Sequence, residues 1–333
     1  MILVTGGTGL IGSHLLYELT KRGHNVKALK RETSNISKTL QVFRYYGENV
    51  DELFSRIEWV NGDILDPFAL QEIISEGDEV YHAAALVSFT PGLKRRIFAN
   101  NIAGTANIVN ACLVKKAKKL CHVSSVAAMG TPNDGSPVDE TLIWSPSKKH
   151  SSYSISKFHS EMEVWRGIEE GLKAVIVNPS VVLGAGHWDS GSSAIFPKIY
   201  KGLQYYTPGT AGYVDVRDVV NIMIRLMESD ISGERFLLNA ENIPFKKLFQ
   251  SIAGNFQKRI PSVEIKPWMA TVAWIVDKFT SLIIRKDPEL SRELISAGFS
   301  KMNYANRKII SALRYDFIPV EESLKHICSL YNN

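Results

Sequence analysis

Thr5-Gly6-Gly7-Thr8-Gly9-Leu10-Ile11-Gly12 decides the fold of this chain. The stretch follows a short apolar run, Ile2-Leu3-Val4, and opens a helical pattern over residues 11–22. Gly6, Gly9 and Gly12 let the backbone turn sharply and approach a pyrophosphate. The helix start at Leu10 and Ile11 offers free N–H groups and a partial positive charge. A glycine-rich loop alone is weak evidence, and a tight turn in some other α/β protein would look alike. The strand–loop–helix setting is what a dinucleotide-binding motif requires.

Outward from the loop, apolar β-rich runs at 2–4, 25–29, 57–60, 79–82, 119–123 and 174–178 alternate with helical patterns at 11–22, 67–74, 97–115 and 154–170. Continuously apolar strands alternating with helices predict a parallel sheet covered on both faces. The alternation fades after Gly184. Residues 185–212 read as loop with one helix, 213–227 as a strand leading into a helix, 236–239 as a strand, and 240–333 as mostly helical. The expectation is an α/β protein: a Rossmann-type doubly wound parallel sheet over 1–183 plus 213–239, with a small, mostly helical C-terminal lobe over 184–212 plus 240–333 for the substrate.

Composition narrows the function. With 333 residues, 45% hydrophobic and 22% charged, the chain is neither disordered nor fibrous. The net charge of +5 is spread along the chain, so no nucleic-acid partner is expected. Cys112, Cys121 and Cys328 are too few and too scattered for a disulfide framework or a metal site, so no metal is expected. A basic n-region and a cleavage site are both missing, which predicts a cytoplasmic protein. The most membrane-like segment, 268–284, is interrupted by Asp277 and Lys278. It is expected to be a helix buried in the protein, not an integral span.

The second strand run ends in Lys30-Arg31, where NAD sites usually carry an acid for the ribose 2′-hydroxyl. A positive pair suits a 2′-phosphate, so NADP(H) is preferred over NAD(H), which stays possible. Asp63, with Ile64 beside it, follows the third strand and can accept from an adenine amino group. Ala83, Ala84 and Ala85 follow the fourth and leave room for a dinucleotide. Tyr153 and Lys157 are four residues apart, on one helix face. A phenol ionises near ~10, and a neighbouring ammonium lowers that value. Tyr153 can then act as general acid or base, with Lys157 also holding the ribose. Ser124-Ser125 ends the fifth strand, where a hydroxyl can orient the reacting oxygen.

Taken in order, 5–12, 61–63, Asn101 with Gly104-Thr105, Ser124-Ser125 with Gly130, Tyr153 with Lys157, Asn178-Pro179 with Gly184, and 213–218 resemble the extended short-chain dehydrogenase/reductases. The resemblance implies that Ser125 is the catalytic serine and Ser124 its neighbour at the cofactor. It implies that Asn101 supports the active site, and that Pro179, Ser180 and Val182 line the nicotinamide. It also implies a homodimer paired through the helices at 97–115 and 154–170. Arg31, the 178–184 stretch and the 213–219 stretch are most similar to the dihydroflavonol reductase and ketone/aldehyde reductase group.

Three departures weaken a sugar-nucleotide reading. Gly184-Ala185-Gly186 stands for the usual Gly-Pro-Gly, Met129 for a tyrosine, and Val126-Ala127 for an acidic pair. Ser88, Met129, His187, Trp188 and Tyr205 are the candidates for a hydrophobic substrate pocket, although the aromatic ones could equally fill the lobe's core. The leading expectation is an NADP(H)-dependent reductase of a ketone or aldehyde, acting between a small-molecule carbonyl and its alcohol. The alternatives are a nucleotide-sugar epimerase and a non-catalytic dinucleotide-binding protein. NADPH should bind more tightly than NADH in calorimetry. Arg31→Ala should cost NADPH alone about 1.5–3 kcal/mol, the worth of a charged hydrogen bond.

Overall fold

The computed structural model describes residues 1–47, 49–88, 92–132, 135–147, 150–284 and 291–332. Seven parallel strands form the central sheet. They are β1 (Ile2–Thr5), β2 (Val26–Lys30), β3 (Ile57–Asn61), β4 (Glu79–His82), β5 (Lys119–Val123), β6 (Ala174–Pro179) and, late in the chain, Glu234–Leu238. The strand order places β1 between β2 and β4, with β3 at one edge and Glu234–Leu238 at the other beside β6. Every neighbouring pair is parallel. β1, β5 and β6 are buried along their whole length, which is why they read as unbroken apolar runs. The order reverses between β1 and β4, and ligands of such sheets bind outside the strand ends at that point.

Helices cover both faces. One face packs around Leu15, Leu16 and Leu19 of α1 (Leu10–Lys21) and around the helix Val216–Glu228. The other packs around Ile108, Val109 and Cys112 of α2 (Gly104–Val114) and Val164 of α3 (Ser152–Glu169). Ser151 caps α3, its hydroxyl accepting from the Ser154 N–H at 2.9 Å. Asp215 caps Val216–Glu228, hereafter α4, accepting from the Arg217 N–H at 2.8 Å. Lys94–Val114 is, among the described residues, the helical stretch long and apolar enough to cross a membrane. Ile97, Ile108 and Val109 on it are buried in the core, while Val114 at its end is exposed.

Past β6 the chain leaves the main sheet. β7 (Val181–Leu183) and β9 (Thr210–Asp215) pair in parallel, and β11 (Glu241–Pro244) joins β9 antiparallel, giving a second, three-stranded sheet. β8 (Tyr205–Tyr206) pairs with β12 (Val263–Glu264); β10 is the seventh strand of the central sheet, Glu234–Leu238. The strand-then-helix pattern at 213–227 thus contributes its helix, α4, to the main sheet's cover and its strand to the second sheet. A separate core forms in the lobe around Phe196, Tyr213, Ile252 and Leu324.

One expectation is overturned. Residues 268–284 fall within α5 (Pro267–Ile284), most of whose described side chains are not buried: Trp268, Val272, Ile275 and Val276 are exposed. Its described residues belong to none of the four apolar cores, and the helix packs on α6 (Arg292–Phe299).

The loop after β1 fixes where α1 begins. Gly6 has φ +75°, and a Cβ there would stand 2.6 Å from the Ala83 carbonyl carbon. A Cβ on Gly12 would meet the Gly6 oxygen at 2.1 Å, which backbone cannot relieve. Gly12→Ala should therefore cost at least about 1–3 kcal/mol as overpacking, read as a lower urea midpoint.

Candidate active site

A cleft opens at the switch point. It is lined by Gly6, Thr8 and Gly9 from the glycine loop, Lys30, Arg31 and Ser34 after β2, Asp63 and Ile64 after β3, Ala83, Ala84, Ala85 and Leu86 after β4, and Arg96 and Asn100. Nine of the residues expected at the cofactor from sequence thus share one wall. Thr8, Ser34, Arg96 and Asn100 were not foreseen. α1 starts at Gly9 with no side-chain cap, so its first N–H groups are left for a ligand. Lys30 Nζ donates to Asn61 Oδ1 at 2.6 Å, which steadies the amine beside Arg31. Asp63 Oδ1 accepts from the Leu65 N–H at 3.0 Å. Leu10, Ile11 and Gly12 form the first turn of α1 rather than the cleft wall, and Gly12 serves close packing.

The reacting group gathers next to this cleft. Ser125 ends the β5 exit and caps a short 3-10 turn, its Oγ accepting from the Ala127 N–H at 3.1 Å. Tyr153, in the first turn of α3, is hydrogen-bonded to the Ser125 side chain. Lys157, one turn on, is buried and donates from Nζ to the Val123 carbonyl at 2.9 Å. This corrects the expected tuning. Burial of the phenol pushes Tyr153 up to about 12, against a smaller lowering by Ser125. The Lys157 amine is turned to a backbone carbonyl, and its own burial pulls it down to about 8 despite the Glu161 carboxylate. Tyr153 is therefore a protonated donor at neutral pH.

Ser124 is not turned to the cleft. Its hydroxyl donates to Glu161 Oε2 at 2.6 Å and is nearly fully buried. Glu161 also receives Asn178 Nδ2 at 2.7 Å and Arg235 Nη1 at 3.0 Å. Asn178 in turn donates to the Ser125 carbonyl at 3.1 Å. This carboxylate went unread in the sequence, though it lies one helical turn beyond Lys157 on the same face.

A second chain of hydrogen bonds joins the two halves of the site. Thr5 Oγ1 and His82 Nδ1 are 2.7 Å apart, and His82 Nε2 and Thr105 Oγ1 are 3.0 Å apart. Thr105 spends its proton on the Asn101 carbonyl at 2.6 Å, so His82 must donate from Nε2 and accept at Nδ1. Burial holds His82 at about 3, keeping it neutral. Asn101 sits in a π-helical turn, Ala99–Ala103. Its Nδ2 donates to Ser156 Oγ at 2.9 Å, and its Oδ1 accepts from the Leu86 N–H at 2.7 Å.

The residues expected at the nicotinamide are Pro179 at the end of β6, Ser180, and Val182 on β7. Ser180 Oγ and Asn178 Oδ1 are buried without a protein partner. Together with the glycine cradle, these orphaned atoms fit a bound nicotinamide dinucleotide. Of the substrate candidates, Ser88 is half-buried just past Leu86, and His187 reaches back to hydrogen-bond the Thr8 backbone. Met129 is fully buried beside Val138 and Leu237, so it cannot touch a substrate here. Trp188 is half-buried, packs edge-on against Tyr331 at 5.0 Å beside the lobe's core, and borders an open pocket with His187. Tyr205 lies exposed on β8, paired with Val263.

The glycine cradle, the switch-point cleft and the Ser–Tyr–Lys cluster define a nicotinamide-dependent α/β enzyme class. The chain belongs to the NAD dependent epimerase/dehydratase family, whose model matches residues 2–238. It is 27% identical to a putative dihydroflavonol 4-reductase of Synechocystis, over 99% of this chain and 94% of that protein. It is 30% identical to a UDP-N-acetyl-alpha-D-glucosaminuronate decarboxylase of Bacillus cytotoxicus, over 77% of this chain and 79% of that protein. The crystal structure of gox2253 superposes with a TM-score of 0.81 at 28% identity, covering 100% of this chain and 98% of that one.

Lys157 is charged below about pH 8 and neutral above it. NADPH affinity of the free enzyme should therefore weaken as pH rises through that value, and Lys157→Arg should remove the inflection. A fluorescence titration of NADPH against pH reads both.

Proposed function

We propose that this chain is an NADP(H)-dependent reductase of a ketone or aldehyde. The observation that carries the reading is a protonated, half-buried Tyr153 hydrogen-bonded to Ser125, next to a cleft whose other end holds Lys30, Arg31 and Arg96. When bound, the cofactor supplies the hydride for the carbonyl carbon. Tyr153 gives its phenolic proton to the carbonyl oxygen, and Ser125 orients that oxygen. Lys157 holds the ribose hydroxyls. Asn101 and Glu161 keep Ser156, Ser124 and Asn178 in register, so the donor does not drift from the acceptor. Lys30 and Arg31 meet the 2′-phosphate. The relative named for dihydroflavonol 4-reductase supports this reading across nearly the whole chain. The proposal includes a cytoplasmic homodimer across α2 and α3, whose exposed apolar side chains include Val114 and Met162.

A nucleotide-sugar reaction is the second reading, supported by the decarboxylase relative. Net NADPH oxidation with a carbonyl substrate marks the first reading. Isomerised or decarboxylated sugar with no net cofactor change marks the second.

Tyr153→Phe keeps the ring and loses the acid. NADPH should still bind, while turnover with an active carbonyl substrate falls by ~10²–10⁴-fold. Ser125→Ala should lower turnover with less effect on NADPH binding, and Ser124→Ala less again. Near-normal turnover in Tyr153→Phe removes the mechanism.

A further inference from the structure

α5 is turned inside out for a helix on the surface of a lobe. Trp268, Val272, Ile275 and Val276 recur at i, i+4, i+7 and i+8, the spacing of one face, and that face points to solvent. They are 65%, 52%, 42% and 54% exposed. The opposite face carries buried Ala270 and half-buried Trp274, Asp277 and Ser281. A helix that is merely part of a soluble lobe places these sets the other way round. Ile260 and Val263 before the helix and Leu294 on α6 are exposed as well. Contiguous exposed apolar surface of this kind marks an interaction site.

The charges around the patch say what it meets. Lys258, Arg259 and Lys266 are exposed ahead of α5, Lys278 within it, and Arg292 at the start of α6. Lys278 and Arg292 both stand over the Trp274 ring, at 5.6 and 4.5 Å. The acids described on the same stretch are Glu264, which is exposed, and Asp277 and Glu293, both half-buried. An apolar stripe with a tryptophan at its end, and an excess of exposed cations on the flanking segments and on the helix's other side, matches the headgroup boundary of an anionic bilayer. A crossing is the wrong geometry, because Asp277 and Lys278 fall inside the helix.

We propose that α5 lies in the plane of a membrane surface containing anionic lipid, its exposed stripe in the acyl boundary and its cations on the headgroups. This needs no substrate and no cofactor turnover, so it stands or falls apart from the reductase reading.

The test is flotation of the intact protein with vesicles of phosphatidylcholine alone or mixed with phosphatidylglycerol. The protein should float with the mixed vesicles, be released by raised salt, and bind the neutral vesicles far less. The variant Val272→Ser/Ile275→Ser/Val276→Ser should lose flotation while keeping its Tm and NADPH affinity, since all three side chains are already solvent-exposed. Lys266→Gln and Lys278→Gln should each weaken binding to mixed vesicles about fivefold, the worth of one cation at an anionic surface. No flotation with mixed vesicles, or equal flotation with neutral ones, overturns the proposal. A dimer mass by light scattering that halves in the triple variant also overturns it, by assigning the stripe to a second copy.

Discussion

Three backbones meet at the end of β1, and much of the molecule is arranged around that meeting. Gly12 of α1, Gly6 of the loop and the Ala83-Ala84 exit of β4 approach more closely than any Cβ would permit. α1 can therefore start directly above the sheet edge, at the place where the strand order reverses. The small side chains after β4 keep the space beside it open. The lobe closes onto the same point: His14 Nε2 and the Ala185 carbonyl are 2.8 Å apart, and Leu10 packs against Gly184 and Gly186. Burial keeps His14 near 4 and hence neutral, so this clasp puts no extra positive charge into the core.

The end of the site that holds Tyr153 and Lys157 is ruled by the cost of dry charge. Removing water raises a phenol and lowers an amine, and both shifts are present at Tyr153 and Lys157. The result favours a proton on the phenol, the form that suits reduction of a carbonyl. The buried carboxyl of Glu161 accepts from Ser124, Asn178 and Arg235. A buried polar group so well partnered costs little to hold, whereas removal of one partner would leave an acceptor unsatisfied.

Legibility in the sequence followed the range of the interaction. The central strands could be read because burial on both faces makes each an unbroken apolar run. The glycine loop and the Tyr153–Lys157 spacing are equally local. β9 could not be placed, because a strand that feeds a helix looks the same whether it joins the main sheet or a second one. α5 was misjudged for a related reason. Its composition gives the amount of apolar surface, but the side on which the protein lies is set by packing on α6. The shift on Tyr153 also needed three dimensions, since sequence spacing brings Lys157 to the same helix face without saying that its amine points to Val123. Met129 fell to packing, as an apolar side chain near a site carries no mark of which way it faces.

The π-helical turn at Ala99–Ala103 sets the register of the helix that follows it. Such a turn holds one residue more than an α-helical turn. One residue rotates everything after it by about 100°. The described site depends on that rotation, because Asn101 must face Leu86 and Ser156 while Thr105 faces His82. Loss of a single residue from the turn would separate these two sets of hydrogen-bond partners in one step.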